Sequence, residues 1–200
     1  MCAFPLDLPA SAEAAFVAAF DRAGKLVRGL EALGPITGRD VALVDGHDGI
    51  IAAGLEALGG RLTHVPLAQP LRLPLPDASA DVVVGAWSAF RGVDAGEMAE
   101  VDRALRPDGR LLAIHDYGRD DLARLRGERP EYGPWSHRGG PFLAGGFRVR
   151  VVHCWLEFES LAQAGSFLGE AFGDGAADLA AGLKRPRLSY NVAIYHRSRA

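Results

Sequence analysis

Three short stretches hold most of the side chains in this chain that could do chemistry. Asp45-Gly46-His47-Asp48-Gly49 puts two carboxylates and an imidazole among glycines, where the apolar run Val41–Asp45 ends. Trp87 and Ser88 follow the run Asp81–Ala86, and His115, Asp116 and Tyr117 close the run Arg110–His115. An imidazole beside a carboxylate and a phenol can orient a nucleophile or take its proton, so His115, Asp116 and Tyr117 are the catalytic candidates. The bland alternative has His115 packed in a strand and Asp116 starting a turn. The first stretch likewise has two readings: a ligand loop at a sheet edge, or a strand-to-helix turn in which Asp48 caps the next helix. His47, Asp48, His115, Asp116 and His137 lack the spacing of a metal site, and no metal is expected. Trp135, His137 and Arg138 suit either an acceptor lid or a loop anchored by one buried tryptophan. Tyr117 to Asp121 is a weaker acceptor-side candidate, unless Asp120 simply starts a short helix over Asp121–Leu125.

The elements that must position these residues alternate. Ser11 suits an N-cap, and Phe16, Phe20, Ala23, Val27 and Leu30 recur at helical spacing until Gly34-Pro35. After Val41–Asp45, Gly49–Leu58 reads as a helix and Leu62–Val65 as a strand. Gln69–Asp77 is too rich in proline for a regular element. Asp94 and Glu97 have capping-box spacing and open a helix to about Leu105, and Pro107-Asp108-Gly109 should turn the chain. A strand near Phe147–Val151, helices over Glu159–Phe172 and Ala176–Leu183, and a strand over Leu188–Tyr195 complete the order. Strand and helix in alternation build a doubly wound, mostly parallel α/β sheet.

At 200 residues and 48% hydrophobic, one domain over 1–200 with an N-terminal helical segment over 11–33 is expected. A net charge of −3 draws the chain to neither nucleic acid nor an anionic membrane. Partners should be a small molecule or a protein, a homo-oligomer included. Only Lys25 and Lys184 are lysine, so arginine clusters carry little weight as a signal of function. Cys2 and Cys154 make no disulfide framework, and Met1–Ala10 is no export signal, so a cytoplasmic location is expected.

Leu73-Pro74-Leu75-Pro76-Asp77, with Ser79, Asp81 and Val82–Val84, resembles the approach to the fourth strand in the methyltransferase type 11 family. Glu100, Val101, Arg103, Ala104, Leu105, Arg106, Pro107, Asp108, Gly109, Arg110, Leu111 and Leu112 resemble its next helix, turn and fifth strand, with Asp108 where glycine is usual. The resemblance spans about Gly38–Asp116. It implies the Rossmann-like fold of class I S-adenosylmethionine-dependent methyltransferases with an antiparallel terminal strand, and methyl transfer to a small-molecule acceptor. It also implies cofactor contacts from Asp45, Gly46, His47, Asp48, Gly49 and Trp87, with Gln69 beside the adenine.

The chain departs from that pattern twice. In either register of the Asp45–Gly49 loop, two of the usual glycines or the acid are lost. One strand-helix unit is missing, which predicts six strands, and no acid lies between Glu56 and Asp77 to accept the ribose hydroxyls. The second functional reading is therefore a non-catalytic methyltransferase-like protein, a partner subunit or a binder of another ligand. Asp48 either faces the carboxylate end of the cofactor or folds back to cap the helix.

Overall fold

A computed structural model of the chain describes residues 8–45 and 49–200. Its sheet contains β1 (Asp40–Val44), β2 (Arg61–Val65), β3 (Ala80–Ala86), β4 (Leu105–Asp116), β5 (Arg148–Glu157) and β6 (Arg187–Ser198). The spatial order is β2-β1-β3-β4-β6-β5. β1 pairs in parallel with β2 and β3, and β3 with β4, while β6 runs antiparallel to β4 and β5. β3 therefore lies between β1 and β4, and the sheet has six strands, as the sequence predicts.

Period-two alternation sorts the strand residues into two cores. Val41, Leu43, Val82, Val84, Leu112 and Ile114 face α1 (Ala10–Ala19), α2 (Lys25–Leu33) and α3 (Ile50–Ala57). Ala42, Val44, Val83, Leu111 and Ala113 face the other way, toward α4 (Ala95–Ala104) and the aromatic residues Trp135, Phe142 and Phe147. Full burial of a large apolar side chain contributes roughly 1.5–3 kcal/mol. Burial on both faces therefore explains why the strands read as continuous apolar runs. The remaining helices are α5 (Asp121–Arg126), α6 (Pro141–Ala144), α7 (Leu161–Phe172) and α8 (Ala177–Gly182).

Two local expectations are corrected. The N-terminal segment is two helices, because Asp21 (φ 44°) and Gly24 (φ 63°) turn the chain in left-handed backbone. Phe20 bridges to Leu156 at the sheet edge, and Asp21 then accepts the Leu26 N–H at 2.7 Å as α2 begins. The buried face is reset from Ala23 and Val27 to Leu26, Gly29 and Leu30. Pro9, not Ser11, is the residue preceding α1. Pro107-Asp108-Gly109 lies inside β4, where a register shift against β3 between Ala80 and Val82 absorbs it. The Asp94 cap is present and accepts the Glu97 N–H at 2.9 Å.

The residues that carry the family resemblance form a clamp. Glu100 accepts the Leu73 N–H at 2.8 Å and both Nε and Nη2 of Arg103 at 3.0 and 2.8 Å. Arg103 in turn donates to the carbonyls of Leu73 and Leu75 and to the Asp77 carboxylate. This fork gives the proline-rich connector partners that its prolines cannot provide. The Arg103 guanidinium holds the Glu100 carboxyl at about 2, against burial, with the Leu73 N–H assisting.

Candidate functional site

The chain leaves β1 for β2 on one side and returns through β3 on the other, so the carboxyl ends of β1 and β3 flank a topological switch point. Open α/β sheets place ligands in the crevice there. Asp45 closes β1 with its N–H on the Val65 carbonyl at 2.9 Å, and its carboxylate accepts the Ser88 hydroxyl across the switch point. Gly49 precedes α3 without a side-chain cap, leaving the first N–H groups of that helix uncapped by it.

Left-handed backbone gathers at this edge. Of the non-glycine residues with positive φ among the described residues, Asp45 (53°), Trp87 (38°), Phe90 (54°) and Arg119 (57°) all follow β1, β3 or β4. Such conformations cost of order 1–3 kcal/mol each and persist where the surroundings fix them. At Phe90 the surroundings are visible: a Cβ on Gly85 would stand 2.3 Å from its ring, so only glycine lets the loop fold back onto β3.

The catalytic candidates separate. Alternation along β4 sends His115 and Asp116 to opposite faces. His115 is buried against Trp135 and Phe142, with ring centroids 5.0 and 5.6 Å away, and its Nε2 donates to the Phe90 carbonyl at 2.9 Å. Burial lowers its pKa to about 3, so the ring is neutral near pH 7. Asp116, 1% exposed, accepts the Trp87 indole N–H at 2.9 Å, the Tyr190 hydroxyl and the Arg126 guanidinium. Burial pushes the Asp116 carboxyl up, with Arg126, Tyr190 and Trp87 pulling the other way. Burial opposes the charge on Arg126, yet Asp116 outweighs it and holds the guanidinium above its usual value. Tyr117 is half-buried beneath Arg119, whose guanidinium lies 5.8 Å from the ring centroid.

Asp45, Ser88, Trp87 and Asp116 are thus joined at one sheet edge by two hydrogen-bond links. Gly49 lies at the start of α3, and Gln69 is exposed in the connector after β2. Gly46, His47 and Asp48 lie outside the described residues, and with them the two orientations weighed for Asp48. Trp135 is buried, matching the anchored-loop reading, while Asp120 caps α5 by accepting the Ala123 N–H at 2.7 Å. Sequence reasoning missed Arg126, Tyr132 and Tyr190, whose Asp116-centred network carries no local spacing signal.

No family model matches the sequence, and no curated protein matches it. Solved structures do. A protein assigned as a type II methyltransferase from Anaeromyxobacter dehalogenans is 22% identical over 86% of this chain and 94% of its own, with a TM-score of 0.55. This is the class I methyltransferase fold. A SAM-dependent methyltransferase from Aquifex aeolicus (18% identity, 90% and 95% coverage, TM-score 0.44) also aligns. So does geranyl diphosphate C-methyltransferase from Streptomyces coelicolor A3(2), in complex with S-adenosyl-L-homocysteine (14%, 88% and 75%, 0.46). At these identities the likeness shows the fold alone. The Glu100–Arg103 clamp holds the connector, whereas the Asp45–Ser88 link spans the β1/β3 crevice. The finer likeness to the type 11 family rests on the sequence segments alone.

Proposed function

We propose that the chain is an S-adenosylmethionine-dependent methyltransferase acting on a small-molecule acceptor at the β1/β3 crevice. The observation that carries this reading is Asp45, held in left-handed backbone at the end of β1 and tied to Ser88 across the switch point. The donor set fits the methionine end of the cofactor. Asp45 offers a carboxylate to its ammonium group, and the first N–H groups of α3 suit its carboxylate. The ribose finds no such partner: β2 ends at the buried Val65, followed by Pro66, Leu67 and Ala68, which carry no polar side chain. When bound, the cofactor supplies an electrophilic methyl group on a sulfonium sulfur.

What the chain itself does is hold two reactants together and keep water out, which can supply much of the rate for such a transfer. Ser88 fixes the Asp45 carboxylate, and Asp116 acts as a positioning residue by fixing Trp87 and Arg126. A neutral, enclosed His115 supports the loop at Phe90 rather than shuttling protons. Loss of a charged ribose contact, worth about 1.5–3 kcal/mol, predicts affinity about 10- to 100-fold below that of a site with the acid.

The non-catalytic reading draws on that same bare end of β2. Calorimetry of the chain with S-adenosylmethionine and S-adenosylhomocysteine separates the two. One-to-one binding of both supports the methyltransferase reading; binding of neither at millimolar ligand favours the non-catalytic protein.

A further inference from the structure

The loops after β4 line an open concavity of about 720 Å³, inside the roughly 300–1,000 Å³ range of small-molecule sites. One lining residue, Tyr132, is tied to the buried Asp116 network. Tyr132 lies against Gly118, where a Cβ would stand 2.8 Å from the ring, and Gly118 has a φ of +77° that suits glycine. Arg126 donates to the Tyr132 hydroxyl at 2.8 Å while pairing with Asp116. The aromatic wall is therefore fixed to the end of β4, next to the proposed reaction edge.

The lining carries both signs of charge, with one more cation than anion and Glu128 the one lining carboxylate for which no partner is seen among the described residues. Arg119, Arg124 and Arg129 face Asp120 and Glu128. Both Asp120 oxygens are taken, by the Ala123 N–H at 2.7 Å and the Asn191 N–H at 2.8 Å. Arg124 approaches Asp121 at 3.6 Å. Arg119 lies over Tyr117, and among the described residues neither it nor Arg129 forms an ion pair. Two unpaired guanidiniums beside a largely apolar wall match an amphipathic anion, because a guanidinium can hold a carboxylate or phosphate by paired hydrogen bonds.

We propose that this cavity binds a small organic anion. Its carboxylate or phosphate meets Arg119 and Arg129, and its apolar body packs on Tyr132, Ala123 and Pro134. That this anion is the methyl acceptor rests on the methyltransferase reading; the binding itself does not.

The test is titration of the full ¹⁵N-labelled chain with 4-hydroxybenzoate, phenyl phosphate and neutral benzyl alcohol, with and without S-adenosylhomocysteine, read at the Gly127 and Gly133 amides. We expect saturable shifts confined to residues 117–134 with at least one anion, bound at least about tenfold more tightly than benzyl alcohol. Whichever anion binds tighter identifies the group. The double variant Arg119→Gln/Arg129→Gln should lose that preference while the rest of its spectrum is unchanged. Equal affinity for charged and neutral probes, no saturable shift, or a double variant that still prefers the anion would overturn the proposal. Anion binding without S-adenosylhomocysteine binding would sink the methyltransferase reading and leave this site standing, whereas the reverse would sink this site alone.

Discussion

Glu100 and Asp116 are both buried carboxylates facing an arginine, yet the two pairs belong to different parts of the molecule. The Glu100–Arg103 pair is local, three residues apart on α4, with Arg103 33% exposed, and it spends its remaining donors on the connector backbone. The Asp116–Arg126 pair is 1% and 5% exposed and draws in Trp87 from 29 residues away and Tyr190 from 74. The first stabilises a connector at the rim of the sheet. The second stiffens the edge where three strands end and both candidate ligand sites begin. The contrast teaches that the segments most like the methyltransferase family are framework, while the residues shaping the ligand edge are assembled over long range.

The largest expected effect breaks the second pair. Asp116→Ala removes the acceptor that Arg126, the Tyr190 hydroxyl and the Trp87 indole share, at a cost of about 3–5 kcal/mol in urea unfolding at pH 7. A loss below about 1 kcal/mol would mean the network is not tightly held. Next is His115, whose folded pKa of about 3 lies below the ordinary value near 6.5. A depressed group contributes stability that is present above the unfolded value and lost as pH falls toward the folded one. Between pH 6.5 and 4 the parent should therefore lose about 3 kcal/mol more than His115→Gln, which can still donate to Phe90. Parallel pH profiles would show that the ring is not enclosed.

The same reasoning at Glu100 gives a smaller, more acidic effect. Its carboxyl lies at about 2, so its contribution is complete above the unfolded value and disappears as pH falls from there to about 2. Glu100→Gln should cost about 2 kcal/mol at pH 7 once solvent screening of the pair is allowed for, and most of the gap to the parent should have closed by about pH 2. A gap that stays constant would assign the effect to packing. Arg106→Gln makes the smallest change. It loosens contacts with Asp40 and Asp81 at the opposite, exposed end of the strands, and its urea midpoint should match the parent's.

The strands were legible because Val82–Val84 and Leu111–Ile114 are buried on both faces, which leaves an apolar run with no alternation to misread. The Asp94 and Asp120 caps were legible because a cap acts within three residues. The break at Asp21–Gly24 was not, since Ala23 and Val27 continue a helical pattern that only the tertiary bridge from Phe20 to Leu156 overrides. The site was partly legible. The edge rule places Asp45, Ser88, Trp87 and Asp116 at one sheet edge, where hydrogen bonds link them in pairs, but adjacency in sequence joined His115 to Asp116, and strand alternation sends them apart. Tyr190 and Arg126 had no signal, because their only mark is a partner supplied by the finished fold.

The most direct test of the division between framework and ligand edge pairs two variants, Asp45→Asn and Glu100→Gln, measured for S-adenosylhomocysteine affinity by calorimetry at 15 °C and for thermal midpoint. Asp45→Asn should weaken binding at least about tenfold with a midpoint close to the parent's, whereas Glu100→Gln should lower the midpoint and keep the parent's affinity. Unchanged affinity in Asp45→Asn, with the parent binding, would contradict the account.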